Sequence, residues 1–259
     1  MLTALRRVVG FIALPVVLFV VWWFASANSV AVYFPPLSKI MTAFKETWLG
    51  PRLREDVLPS VLRLLSGYAL ALVLGITLGV LIGNNRRVRS LLEPGLEFFR
   101  AIPPPVLIPG IVLLAGIDNT MKVLVILFGC VWPVLLNTVE GVRATDEVLD
   151  DTCRTYRVSG LTRLRVFVLR SASPQIVTGA RQALSIAIIL MVISEMFYSS
   201  VGLGNRVVRY QREFAIPEMW SGVLMLGLLG VTLSLVFWLV ERRIMYWYHG
   251  LRAAERNVI

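Results

Sequence analysis

Histidine is almost missing from this chain, with His249 the single example, and cysteine occurs only at Cys130 and Cys153. So few ligands cannot assemble a metal cluster or a disulfide framework. They also leave no nucleophile–base pair for an enzyme working inside a membrane. Charge is thin, at 16% of residues, where soluble domains carry about a quarter. No glycine-rich run closes on Lys and Ser or Thr, the pattern that cradles nucleotide phosphates, and no Lys follows Gly202-Leu203-Gly204. The bulk of the chain is apolar: 57% hydrophobic residues and a mean hydropathy of +0.74. The net charge of +10 would suggest nucleic acid in a soluble protein. Here no basic-plus-aromatic module occurs, and the arginines alternate with long apolar runs, so the charge reads as membrane orientation.

A helix crossing a bilayer core needs about 20 apolar residues. Six stretches fit, at residues 8–27, 61–83, 104–117, 121–141, 174–197 and 219–240. The third is short and interrupted by proline. The first ends in Ala25-Ser26-Ala27, which resembles a processing site. Its apolar run exceeds the roughly 7–15 residues of a signal peptide, so it reads as a span. Lys and Arg are denser on one side, with Arg6, Arg7, Arg86, Arg87, Arg89 and Arg100, the segment 142–173, and the tail. That excess marks the cytoplasmic face. The expected architecture is an all-α membrane protein with six transmembrane helices and both termini cytoplasmic. Residues 1–59 would hold the first span and an outer interfacial helix. Residues 60–245 would form a core of five helices with a folded inner loop at 142–173, and 246–259 a cytoplasmic tail.

Within the second span, Gly75, Gly79 and Gly83 recur every four residues. Such a stripe lets another helix approach closely where lipid offers no hydrophobic force. After the first span, Phe34-Pro35-Pro36 blocks helix and Ser38 can cap a new one. Ile40, Met41, Phe44 and Trp48 then share a face, either of an interfacial helix or of one packed on the bundle. In the inner loop, Thr145 or Asp146 can cap a helix whose early turns hold Glu147, Asp150 and Asp151, where the helix dipole favours acids. Gly160 is a natural stop, a second helix carries Leu161, Leu164 and Val168, and Pro174 can open the fifth span. The pair reads either as a rigid lever for a soluble partner or as a solvated basic loop held by lipid head groups.

Polar residues inside spans mark pathways or structure. Glu195, near the outer end of the fifth span, can be a gate residue or an interfacial carboxylate paired structurally. Arg181 lies about 20 Å away along the same helix, so it can snorkel inward or hold the start of the third span, as a structural charge. Pro103, Pro104, Pro105 and Pro109 break the third span, and broken backbone at depth is tolerated where it is buried in protein or lines a cavity. They mark either a translocation path or a kink. Cys130 reads as packing, and His249 as a tail residue without function.

The run Asp151-Thr152-Cys153-x-x-x-Arg157, followed by Val168-Leu169-Arg170 and Pro174, resembles the cytoplasmic motif of ABC importer permeases. In that register Asp151 stands where the family has glutamate, Thr152 and Cys153 where it has alanines, and Arg157 where it has glycine. Leu169 and Arg170 stand for its Leu-Pro pair. Tyr156, Ser159-Gly160, Pro174, Ile176, Gly179 and Arg181 are similar to the nitrate/sulfonate/taurine branch. So are Phe34-Pro35-Pro36-Leu37-Ser38, Arg100-Ala101-Ile102-Pro103-Pro104-Pro105 with Ile108-Pro109, Gly116-Ile117-Asp118, and Glu195 with Gly202-Leu203-Gly204. The likeness covers residues 30–245.

The resemblance implies a permease subunit of the bacterial inner membrane, translocating rather than catalysing and binding no cofactor itself. It implies coupling helices between spans four and five that dock on a separate ATPase dimer holding ATP and Mg. The contact would be made by Asp151, Thr152, Cys153, Tyr156, Arg157 and Gly160. A second permease copy, an extracytoplasmic solute-binding protein and membrane lipid would be the other partners, and nucleic acid would not be one. The implied cargo is a small anion, such as a sulfonate, taurine or nitrate. A self-contained secondary transporter or channel is the alternative, though it would not need so long an inner loop and usually shows internal repeats.

Overall fold

The computed structural model describes residues 2–248 and 250. The readings of His249 and of the tail beyond residue 250 lie outside those residues. Eleven α-helices occur in order among the described residues: α1 (Leu2–Ser26), α2 (Leu37–Trp48), α3 (Leu58–Gly83), α4 (Arg86–Ala101), α5 (Ile108–Ala115), α6 (Asn119–Arg143), α7 (Glu147–Thr155), α8 (Gly160–Arg163), α9 (Leu169–Tyr198), α10 (Leu203–Arg212) and α11 (Ile216–Ile244). Four helical stretches are long and apolar enough to cross a membrane: Leu53–Gly83, Asn119–Arg143, Gly160–Tyr198 and Ile216–Ile244. A fifth is a broken pair, Arg86–Ala101 with Pro104–Ala115, bent by 84°. Ala13–Ser26 is a shorter apolar helix. The structure thus shows four or five of the six expected spans.

The core is α3, α6 and α9. The glycine stripe of α3 runs along α6, and it starts earlier than Gly75. A Cβ added at Gly67 would lie 2.8 Å from Ile126, at Gly75 2.7 Å from Val134, at Gly79 2.6 Å from Thr138, and at Gly83 2.9 Å from Val142. Both helices therefore present residues four apart, and each bulky side chain of α6 seats on a bare turn of α3. Ala71, between them, is fully buried. The other face of α6 meets α9 by the same device, with Gly179 against Pro133 and Asn137, and Gly141 against Ala172 and Gln175. Leu64, Met121, Val125, Ile126, Met191 and Leu190 fill the space between. Tyr68 donates from its hydroxyl to the Ala180 carbonyl at 2.9 Å, and the Cys130 thiol to the Ala183 carbonyl at 3.2 Å. Packing is thus the role of Cys130.

Three local expectations change. Pro174 does not open the fifth span. A π turn, Leu164–Val168, joins α8 to α9, so one helix runs from Gly160 to Tyr198. Pro174 sits inside it, and the Arg170 carbonyl that its missing N–H leaves free accepts from the Ser173 hydroxyl at 2.8 Å. The helix after the prolines is not capped by Ser38: α2 begins at Leu37, whose N–H reaches back to the Ser26 hydroxyl at 3.0 Å. Its apolar face packs on α11, where the Trp48 indole donates to Ser221 at 3.0 Å. Arg181 does not hold the start of the third span either. It pairs with Glu241 of α11.

Gly79→Leu drives a branched side chain into Thr138 and is expected to destabilise the bundle by about 1–3 kcal/mol or more. Thr77→Leu, on the exposed face of the same turn, is expected to be neutral. Thermal unfolding of the purified protein in detergent compares the two, and equal midpoints would show that α3 and α6 do not depend on close approach.

Candidate functional site

One end of the bundle holds a buried ionic network. Glu195 is fully buried, yet both of its oxygens are bonded. Its Oε1 accepts from Arg63 Nη1 at 2.7 Å, its Oε2 from the Gly204 N–H at 3.1 Å, and the Ser60 hydroxyl lies 2.8 Å from both oxygens. Arg63 also donates to Asn119 Oδ1 at 2.7 Å and the Val201 carbonyl at 3.0 Å. Asp56, also fully buried, accepts from the Gly202 N–H at 3.1 Å and pairs with Arg206 at 2.9 Å. The Ser60 oxygen in turn accepts from the Leu203 N–H at 3.0 Å.

The local chain explains the arrangement. Asp56, Ser60 and Arg63 fall on one face because they are four and three residues apart on a helix. Gly202 has φ +128, open to glycine alone among residue types at no cost. A Cβ there would stand 2.5 Å from the Glu195 carboxyl. The first N–H groups of α10 therefore aim at two carboxylates, where the helix dipole favours negative charge. A buried charge left unpaired is strongly destabilising, so the pairing with Arg63 offsets the cost of burying Glu195.

Beside the network opens a cavity of about 800 Å³, lined by Arg63, Asn119, Lys122, Tyr198 and Ser199 among others. Glu195 lies behind Arg63 and is not part of that lining. Lys122 is 3% exposed, and among the described residues its ammonium has only carbonyl acceptors, Ile117 at 3.2 Å and Asp118 at 3.4 Å.

A second cavity, about 550 Å³, lies against the broken helix pair. Pro104 and Pro105 line it, while Pro103 sets the extended backbone that begins the 3₁₀ turn Pro104–Leu107. The opposite walls come from α6 and α9, with Gly129, Trp132, Asn137 and Gln182. Asn137 Nδ2 donates to the Pro133 carbonyl at 2.8 Å and to Gln182 Oε1 at 3.3 Å. Trp132 stacks flat on Phe99, ring centroids 6.3 Å apart. Its Nε1 is the one buried side-chain polar atom without a partner among the described residues.

The α7–α8 loop closes the far end. Asp146 is its N-cap, accepting from Val148 at 2.7 Å and Leu149 at 3.2 Å. The stop falls earlier than Gly160. Val158 N–H bonds to the Cys153 carbonyl at 2.8 Å and Arg157 N–H to Arg154 at 3.0 Å, with Arg157 at φ +54. This is a Schellman ending, which prefers glycine at that position. Arg157 thus occupies a left-handed conformation that costs a side-chain-bearing residue about 1–2 kcal/mol. Gly160 has φ +59 and opens α8 instead. Asp150 clasps the two helices, bridging Arg154 at 2.9 Å and Arg163 at 2.5 Å. The Arg163 hydrogen bond holds its carboxyl below the usual range. Asp151, Thr152, Tyr156, Arg157 and Gly160 are exposed, while Cys153 turns inward against the cluster of Val142, Phe167, Val168 and Ala172. Val148, Leu149, Tyr156 and Leu161 face outward at 73%, 51%, 78% and 77% exposure, an apolar rank without a cover among the described residues.

Sequence reasoning singled out Glu195 but not the other side chains of the network: Ser60 and Arg63, which bond to it, and the separate pair Asp56 and Arg206. The helical spacing of the first three on one face was the available signal. Trp132, Asn137 and Gln182 also went unmarked, though Asn137 and Gln182 each interrupt an apolar span.

A family model described as binding-protein-dependent transport system inner membrane component matches residues 71–245. The chain is 28% identical over 236 residues to the putative aliphatic sulfonates transport permease protein of Bacillus subtilis, covering 90% of this chain and 86% of that one. It is 27% identical over 252 residues to the taurine transport system permease protein of Escherichia coli, covering 95% and 91%. A solved structure of an amino acid ABC transporter shares the fold, with a TM-score of 0.52 at 16% identity over 80% of this chain and 96% of the other.

Glu195→Ala leaves Arg63 buried and uncompensated, and is expected to cost about 3–5 kcal/mol. Adding Arg63→Met should recover part of that loss, read as the unfolding midpoint of the purified protein; no recovery in the double variant would mean the pair is not what Glu195 serves. Arg157→Gly relieves the left-handed strain and should gain about 1 kcal/mol locally. Slower amide exchange over residues 147–160 is the expected sign, and faster exchange would contradict the geometry.

Proposed function

The chain belongs to the family of binding-protein-dependent transport system inner membrane components, and on that premise we propose that two copies of it enclose a path for a small anion, driven by a separate ATPase pair. It is a permease component of an ABC transporter, a multi-pass protein of the inner membrane. The importer direction follows from the family's dependence on a binding protein.

The observation that carries the finer reading is the apolar rank Val148, Leu149, Tyr156 and Leu161, set on a helix pair that continues without a break into the membrane. The helix from Gly160 to Tyr198 has 39 residues and is about 58 Å long at 1.5 Å per residue. A push on α8 is thus a push on the wall of both cavities. With no phosphate-cradling loop of its own, the chain needs an ATPase, with ATP and Mg, as its partner, and α7–α8 is the surface that fits one. Asp151, Thr152, Tyr156, Arg157 and Gly160 would meet it directly. Cys153 would support the contact from beneath.

Six spans with cytoplasmic termini fit the density of arginine around α4 and α7–α8. In that count α1 is the first span and the broken α4–α5 pair the third. The wall of broken backbone at Pro103–Pro105 would face the second copy and line the path, since irregular backbone at depth must be covered by protein or a water-filled cavity. Two donors at the lining of the 550 Å³ cavity, Arg100 and the unpartnered Trp132 indole, suit an oxyanion. The relatives named for sulfonates and taurine transport such cargo, which an extracytoplasmic binding protein would deliver. Glu195 would brace the outer end rather than touch cargo.

The test is Tyr156→Ala with Leu161→Asp in the complex purified with its ATPase. Loss of a buried aromatic anchor costs about 2 kcal/mol or more, roughly thirtyfold in affinity. ATPase recovery in pull-down and uptake by proteoliposomes should fall together while the unfolding midpoint holds. Undiminished ATPase retention with undiminished uptake would refute the coupling surface.

A further inference from the structure

At the α7–α8 end, α11 leans away from the rest of the bundle. Its buried residues, Ile216, Ser221, Gly222 and Met225, all lie in its first three turns, and Leu235, Val236, Leu239 and Val240 beyond them are about half exposed. The gap between α11, α3 and α9 is an apolar cleft of about 400 Å³, walled by Leu72, Ile76, Val177, Leu184, Val236 and Phe237 among others. Glu241 borders this cleft and also a second cavity of about 540 Å³, which Arg181, Trp238, Arg242 and Tyr246 line. An apolar slot thus opens directly into a cationic, aromatic pocket.

The charges in that pocket do not cancel. Arg181 is paired with Glu241. Arg242 has no carboxylate partner among the described residues; its guanidinium lies over the Trp238 ring, 5.6 Å from the centroid. Nearby, Arg170 stands over Trp247 at 5.8 Å. Tyr246 and Trp238 are 80% and 48% exposed, as aromatic side chains are at the head-group level of a bilayer. The Arg181 side chain is itself 58% exposed, so it keeps donors free beyond Glu241.

We propose that this composite site binds one anionic phospholipid, with its phosphate between Arg242 and Arg181 and an acyl chain in the cleft between α3, α9 and α11. The occupant follows from complementarity: the slot offers almost no polar surface, the mouth offers net positive charge, and the two meet at Glu241. A soluble anion would leave the slot empty, and a zwitterionic lipid, whose phosphate brings its own cation, would leave the net positive charge of the pocket unbalanced. A lipid seated there would wedge α11 against α9 beside the helix that carries α8. The inference depends on the membrane location, not on the identity of the cargo.

The experiment is native mass spectrometry of the whole transporter, titrated with phosphatidylglycerol or phosphatidylcholine. Phosphatidylglycerol should be retained about fivefold more tightly, the contribution of one Arg near an anionic lipid. Arg242→Gln should erase that preference without weakening the choline lipid. Val236→Trp, which fills the slot from an exposed position of α11, should weaken both lipids. Glycerophosphoglycerol and inorganic phosphate, which carry the head group chemistry without chains, should fail to displace the lipid. Equal retention of the two lipids, an unchanged preference in Arg242→Gln, or displacement by either chainless anion would overturn the proposal.

Discussion

The close contact of α3 with α6 is the constraint on which the rest of this molecule depends. In lipid, two apolar helices gain nothing from leaving the solvent, because the solvent is as apolar as they are. The remaining attraction is dispersion, which falls away steeply with distance. Four glycines on one face of α3 remove the side chains that would hold the backbones apart, and Ile126, Val134, Thr138 and Val142 fill the bare turns. Because both helices repeat at the same interval, the register is fixed along their whole shared length. A shift by one residue would set side chain against side chain throughout. With α3 and α6 locked, α9 has a single groove to occupy.

The ionic network follows from that register. Arg63 sits one turn before Gly67 on α3, and Glu195 lies near the end of α9, so the packing of the three core helices brings their charges to one level. The rest is local chain geometry. The turn at Gly202 swings the start of α10 back onto the carboxylates, and Asp56 ties Arg206 of α10 to the turn that precedes α3. A buried pair of this kind is weak evidence for net stability, because desolvation offsets much of the attraction. Its effect is geometric: it holds α3, α9 and α10 together at one end of the bundle.

The α7–α8 end is built differently. Asp150 clasps α7 to α8 through exposed and half-exposed arginines, and Phe167, Val168 and Ala172 seat the pair on α6. The loop is internally clasped but shallowly attached, and Val148, Leu149, Tyr156 and Leu161 point outward. The clasp within the loop, continuity into α9 and the ionic anchor at the opposite end are the features on which the proposed coupling rests. Between the two ends, the proline-broken pair and the cavity beside Trp132 supply the irregular wall that a continuous helix cannot.

Composition, the apolar runs and the alternation of arginine with them determined that this is a helical membrane protein. Those features depend only on the solvent each residue must enter. The glycine stripe, the Asp146 cap and the loop helices were legible for a similar reason, since spacing along one helix is a local property. The fifth span's true start was not legible: whether a helix passes through Pro174 depends on the Ser173 hydroxyl finding the freed carbonyl, which propensity does not show. Nor could Arg181 be assigned to Glu241, or Glu195 to Arg63, because residues 60 and 132 positions apart meet only when the packed helices choose a common register. The residues that pair and line cavities are set by that choice, and it is made by packing across the whole bundle.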